Sequence, residues 1–257
     1  MNYSFDVISD LYLTDQDHFD FKNQQTSMFC VVAGNISSDL LVVHSVLKHL
    51  STLYKHVFFI DGMLEHSADW SKINETQAFL EAIASELDNV VYLHDRVIIT
   101  NGIAILGTNG WSNFNVSDTE NFLNTQTEFM SRYNASEHDV RIIMGAGIND
   151  INYLGTSLEK LQRHQDVQKI CVVTSAIPDL KLIRPTSVNA KIAAASSSLF
   201  SLASPLDTEH KLAYWVYGQF LNPVGVSCGQ VSFVSNPKNC LGNNQTLCYY
   251  PRPFEIK

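Results

Sequence analysis

The sequence carries little charge and gathers none of one sign. Charged residues make up 17% of its 257 positions, and Asn, Ser and Thr fill much of the remaining polar surface. The balance is acidic, with a net charge of −9 and a pI of about 5.4, while Lys and Arg are scattered without a basic patch. An acidic surface repels phosphate backbones, so nucleic acid is not an expected partner. No apolar run approaches the roughly 18–20 residues a membrane span needs, so no membrane role is expected. The five cysteines include no Cys-x-x-Cys pair. Their odd number and the absence of a targeting segment ahead of the first strand-like run favour free thiols in a reducing compartment, and a cytoplasmic location is the simplest expectation. A linker rich in Gly, Pro or Ser and an internal repeat are both missing, so residues 1–257 are expected to form one domain.

What is present suits a folded α/β domain. Hydrophobic residues make up 45% of the chain, enough to exclude disorder. Apolar runs at Tyr3–Ile8, Phe29–Ala33, His56–Ile60, Lys169–Thr174 and Leu212–Tyr217 read as strands, and shorter ones lie around 90–93, 97–99 and 103–106. Between them, Ser38 can cap a helix with Leu41, Val42, Val46, Leu47 and Leu50 in helical spacing, and 74–87 is again helical. Residues 117–165 read mainly as helix with one break, and the Ala/Ser-rich 187–202 as helix. The last segment, 229–256, reads as hairpin-like short strands. This alternation predicts sheets covered by helices. Cys30 and Cys171 fall in strand runs and read as core residues. For Cys228, Cys240 and Cys248, which cluster near the C-terminus, a disulfide and free thiols both remain open. Trp111 and Trp215 read as core, and Trp70, in a polar stretch, as an exposed contact.

In such folds functional residues sit in loops at the carboxyl ends of strands. Those loops here are Ser9-Asp10-Leu11-Tyr12, Ala33-Gly34-Asn35, Asp61-Gly62-Met63-Leu64-Glu65, Ser175-Ala176-Ile177-Pro178 and Gly218-Gln219-Phe220-Leu221. Their succession resembles the calcineurin-like metallophosphoesterase family, whose signature runs Asp-x-His, Gly-Asp, Gly-Asn-His-Asp/Glu, His and Gly-His-x-His. Residues 105–114 (ILGTNGWSNF), Val188-Asn189-Ala190 and Val234-Ser235-Asn236-Pro237-Lys238 are similar to further segments of that family, in the same order. The resemblance implies a four-layer α/β/β/α sandwich. In the family, two divalent metals about 3.5–4 Å apart bridge a phosphate and supply a hydroxide. Two dications so close repel by roughly 17 kcal/mol at an effective dielectric near 20, which bridging carboxylates must offset.

Matched position by position, this chain keeps almost none of those ligands. Asp10 matches the first carboxylate. Tyr12 stands for the first His, Asn35 for the bridging Asp, Met63 for the metal-binding Asn and Leu64 for the His that protonates the leaving group. Ser175 stands for the lone His, and Gln219 and Leu221 for the last two. Glu65 matches a supporting position. The resemblance therefore implies no metal, no cofactor and no catalytic residue. It suggests a pseudoenzyme working through a protein partner or as a homo-oligomer, for example as a subunit of a phage particle or other assembly. Two alternatives follow from the same residues. One is a small-molecule binder that reuses the cleft lined by Tyr12, Asn35, Glu65, Ser175 and Gln219. The other is a residual phosphoesterase with a single metal rebuilt around Asp10, Glu65 and His66. Asp10 has a plainer role open to it, capping a loop through backbone N–H groups.

Overall fold

The computed structural model describes residues 3–17, 19–20, 24–112, 126–131, 133–179, 182, 199–219, 224–238 and 249–256. Eleven strands among them form two sheets: β1 (Tyr3–Ile8), β2 (Phe29–Ala33), β3 (His56–Ile60), β4 (Val90–Tyr92), β5 (Arg96–Thr100), β6 (Ile103–Gly107), β7 (Lys169–Thr174), β8 (Leu212–Tyr217), β9 (Val224–Cys228), β10 (Val231–Ser235) and β11 (Arg252–Ile256). The first sheet has the order β11-β1-β2-β3-β4 and the second β5-β6-β7-β8-β10-β9. In each, four neighbouring strands run parallel (β1–β4 in one, β6, β7, β8 and β10 in the other), and antiparallel strands flank them: β11 on one sheet, β5 and β9 on the other.

The strands alternate between two cores, as buried strands with period-2 side chains must. Phe5, Val7, Val31, Phe58 and Ile60 of the first sheet meet Ile103, Ile105, Cys171, Val173, Val216 and Val234 of the second. The opposite face of the first sheet (Ile8, Cys30, Val32, Val57, Phe59) packs under α1 (Leu40–Leu53) and α3 (Ile73–Ser85). The opposite face of the second (Leu106, Val172, Trp215, Phe233) packs under α4 (Glu137–Arg163) and α5 (Leu199–Ala203). The order of layers is therefore helix, sheet, sheet, helix. Full burial of each aliphatic side chain is worth roughly 1.5–3 kcal/mol, so these three apolar layers hold the sandwich together. Among the described residues, no helix is long and apolar enough to cross a membrane.

Three local readings change. The cap of α1 is Asp39, whose carboxylate accepts from the Leu41 N–H, one residue later than Ser38. Leu41 then points outward, 71% exposed, and Val43 takes the core position instead. Trp70 is buried rather than exposed. It lies with Met63, Ile73, Trp111, Phe129, Val140 and Ile143 in an apolar cluster at the end of the sheets, because the polar residues around it form an exposed turn capped by Asp69 while the indole turns inward. The third concerns the C-terminal segment. It is a hairpin only as far as β10, and β11 crosses to the other sheet to pair with β1, a long-range contact that local turn signals do not carry. Trp111, Trp215, Cys30 and Cys171 are core residues. Cys228 is exposed, while Cys240 and Cys248 lie outside the described residues.

Candidate functional site

The carboxyl ends of the two sheets approach so closely that glycine is required between them. A Cβ on Gly218, after β8, would stand 2.1 Å from the Ala33 carbonyl oxygen, and one on Gly34, after β2, 2.7 Å from the Ser175 Cβ. Around this contact the chain adopts left-handed backbone at Asp10, Tyr12, Asn35 and Gln219, half of the eight non-glycine residues of positive φ among those described. Each such residue costs of order 1–2 kcal/mol and persists only where its surroundings fix it.

Side chains supply that fixing. Asp10 is fully buried, and its Oδ1 accepts from the Asn35 Nδ2 at 2.8 Å and from the Gln219 backbone N–H at 2.8 Å. One carboxylate oxygen so ties the loops after β1, β2 and β8. Its Oδ2 is buried with no hydrogen-bond partner, and burial lifts the carboxyl to about 7 against the pull of Asn35, the Gln219 N–H and the nearby Ser9 hydroxyl. Asn35 is held in one orientation, because its Oδ1 accepts from the Leu64 N–H at 3.0 Å. The Gln219 Nε2 donates to the Met63 Sδ at 3.2 Å, across the cleft. The Tyr12 N–H donates to the Asn35 carbonyl at 3.0 Å, and the Ser175 N–H to that of Asn109 at 3.1 Å.

Residues 63–66 form a single helical turn, α2, rather than a loop. From it Glu65 reaches back, buried, and accepts four backbone N–H groups: Gly62 at 2.7 Å, Asn35 at 3.1 Å, Ile36 at 2.5 Å and Ser37 at 3.3 Å. The supporting position of Glu65 thus has a physical content, since it folds the loop after β2 onto the loop after β3. Its neighbour His66 turns the other way. His66 Nε2 lies 2.5 Å from Asp61 Oδ2, with both side chains fully enclosed, and the Tyr92 hydroxyl donates to Asp61 Oδ1 at 2.6 Å. Burial would raise the Asp61 carboxyl, but its contacts with His66, His94 and the Tyr92 hydroxyl hold it below the usual carboxylate range. The Asn109 amide nitrogen donates to the Asp61 carbonyl at 2.9 Å, and its oxygen lies 2.9 Å from His94 Nδ1. Asp61, Tyr92, His94 and Asn109 form a second polar network that the sequence reading did not single out. The signal was present, since Asp61 and Asn109 stand in segments that carry the family resemblance.

A two-metal centre does not fit this arrangement. Such a centre needs several anionic or imidazole donors facing one cavity. Here Asp10 faces two N–H donors, the Glu65 oxygens are taken by backbone N–H groups, and Met63 meets an amide. Among the described residues, no three His, Cys, Asp or Glu side chains gather as a metal set. The trio Asp10, Glu65 and His66 is likewise not assembled, because His66 is committed to Asp61 on the far side of α2. Met63 is buried and Leu64 half-buried beside Asn35. Leu221, Asn113, Phe114 and Val188-Asn189-Ala190 lie outside the described residues.

Against known proteins, no protein-family model matches the chain, and no curated protein matches it. Solved structures do. Phosphopantetheinyl hydrolase (PptH) from Mycobacterium tuberculosis is similar at a TM-score of 0.67 and 14% identity, over 93% of this chain and 90% of that one. A structure described as "GAP50 the anchor in the inner membrane complex of Plasmodium" is similar at 0.54 and 12% identity, over 99% and 81%. A putative 5'-nucleotidase from Staphylococcus aureus is similar at 0.49 and 13% identity, over 93% and 49%. At these identities the likeness concerns the fold alone, and that fold is a metallophosphoesterase-like α/β sandwich with two sheets between helices.

Proposed function

We propose that this chain is a non-catalytic form of the metallophosphoesterase-like fold that works by binding a protein partner or a second copy of itself. The observation that carries the reading is the state of Asp10. The one carboxylate matching a metal ligand is enclosed, and it binds the loops after β1, β2 and β8 to one another through Asn35 and Gln219. A side chain that braces loops in this way is not presented to a phosphate ester. Asn35 and the Gln219 backbone N–H are held by Asp10 Oδ1, and Asn35 also by the loop after β3, so in this reading the former cleft serves as a structural joint. The structure described as an anchor in a membrane complex gives a precedent for this fold in an assembly role.

The likeness to a hydrolase sets the test. Protein purified without chelator is incubated with manganese or zinc, freed of excess metal and analysed by elemental analysis, with a chromogenic phosphodiester assay in parallel. The expected result is less than about a tenth of an equivalent of metal and no metal-dependent turnover. Binding near the two equivalents of a two-metal centre, with turnover abolished by Asp10→Ala, would overturn the reading.

A further inference from the structure

The loop that leaves β1 runs back over the first half of α1, and the two enclose a groove of about 460 Å³. Its floor is apolar. Leu13 and Val46 are buried there, and Phe19 and Val42 pack onto the outer core of the first sheet. Leu41 stands at the lip with 71% of its surface in water. The rim carries carboxylates from Asp15, Asp17 and Asp39, and no Lys or Arg is among the residues that line the groove.

The groove is also preformed. Asp17 Oδ2 accepts from the Thr14 N–H at 2.7 Å and its hydroxyl at 2.9 Å. The Leu13 N–H donates to the Ile36 carbonyl, and the Ser37 hydroxyl to the Leu13 carbonyl, each at 2.7 Å. A loop held in this way loses little entropy on binding. An apolar floor inside a polar rim is the anatomy of a protein-binding patch, and a rim with three carboxylates against one histidine, His49, favours an occupant of opposite charge.

We propose that this groove docks a segment of a partner protein in which an apolar side chain is flanked by Lys or Arg. The inference rests on the interaction role proposed above and names its surface and the chemistry of its partner. The apolar side chain seats against Leu41, Val42 and Phe19, and the cations lie over Asp15, Asp17 and Asp39. Exposed rim charges act mainly on association rate and selectivity, so salt weakens binding without abolishing the apolar part.

The test uses the full chain and three labelled synthetic peptides of equal length, followed by fluorescence polarisation. One alternates Lys with Leu, one Glu with Leu, and one Lys with Ser. The expected result is that the Lys/Leu peptide binds at least about tenfold more tightly than either control. Leu41→Glu and Asp15→Lys, two exposed sites whose variants keep the fold by circular dichroism, each weaken it at least about fivefold. Equal binding of the Glu/Leu peptide, no binding at all, or binding that neither variant changes would overturn the proposal. So would self-association of the chain that Leu41→Glu abolishes, since a second copy would then be the occupant. Metal content separates the two readings. A metal-free chain that ignores the peptides loses only the groove, whereas a metal-loaded, active chain loses the interaction role whatever the peptides do.

Discussion

Glu65 shows how one side chain can hold a loop without chemistry. Its two oxygens accept from four buried backbone N–H groups. Burial pushes its carboxyl up to about 8, and the N–H donors from Gly62 and Ile36 oppose that rise. A glutamine of the same shape offers only one acceptor oxygen and turns an NH₂ group toward the remaining donors. Each buried donor left without an acceptor costs about 1–3 kcal/mol. Above about pH 8, where the Glu65 carboxyl is ionised, Glu65→Gln is therefore expected to lower unfolding stability by about 2–5 kcal/mol in urea denaturation, and wild-type stability in that variant at that pH would show that the carboxylate does not hold the joint. The resemblance made Glu65 legible as a supporting residue. The identity of its four partners was not, since they come from two loops separated by some thirty positions and are joined only by folding.

At the scale of elements, α4 shows why position outranks composition. It begins at a capping box in which the Ser136 hydroxyl accepts from the Asp139 N–H, and two of its three glycines, Gly145 and Gly147, are ones that propensity alone would treat alike. A Cβ on Gly145 meets nothing within 4 Å, whereas one on Gly147 would stand 2.4 Å from the Trp111 carbonyl oxygen. Gly145→Ala is expected to raise stability by up to about 1 kcal/mol through helix propensity. Gly147→Ala gains the same term but overpacks the contact by about 1–3 kcal/mol, so the net effect is destabilising. Thermal melts of the two variants moving in the same direction would refute the argument. The strands were legible because their apolar runs are short, dense and bounded: β1, β2, β3, β7 and β8 fall where the runs predict. The register of α1 was less so, because Ser38 and Asp39 are both good caps, and only packing against the sheet chooses between them.

For the whole molecule, the consequence of burying Asp10 and Asp150 without a cationic partner bonded to them is a contribution to stability that falls as pH rises. Asp10 sits near 7 in the fold and near its ordinary value once unfolded, so between about pH 4 and 7 the native state holds a proton that the unfolded state has lost. Its contribution is present in full below that window and is lost as pH rises through it, at about 1.4 kcal/mol per pH unit. Asp150, lifted to about 7 mainly by its burial, acts in the same sense. Asp10→Asn keeps an oxygen for the Asn35 and Gln219 donors but cannot ionise. Its stability relative to the wild type is therefore expected to rise by about 2–3 kcal/mol between pH 5 and pH 7, measured by denaturant unfolding at each pH. Parallel curves would mean that Asp10 stays ionised in the fold.

The sequence by itself determined the α/β class and which residue types stand in the loops after the strands, while the order of the layers was only implied by the resemblance. Alternating apolar runs dictate strands buried on both faces, and a side chain such as Leu64 has no lone pair to offer a metal or a proton whatever surrounds it. Only the tertiary structure decided what the remaining polar groups do. Whether Asp10 faces a cavity or braces a loop, whether His66 turns toward Asp10 or Asp61, and whether Trp70 or Leu41 meets water all depend on which distant residue lies within about 3–4 Å. Hydrogen bonds and packing act at that range in space, and a linear pattern of residue types does not encode it.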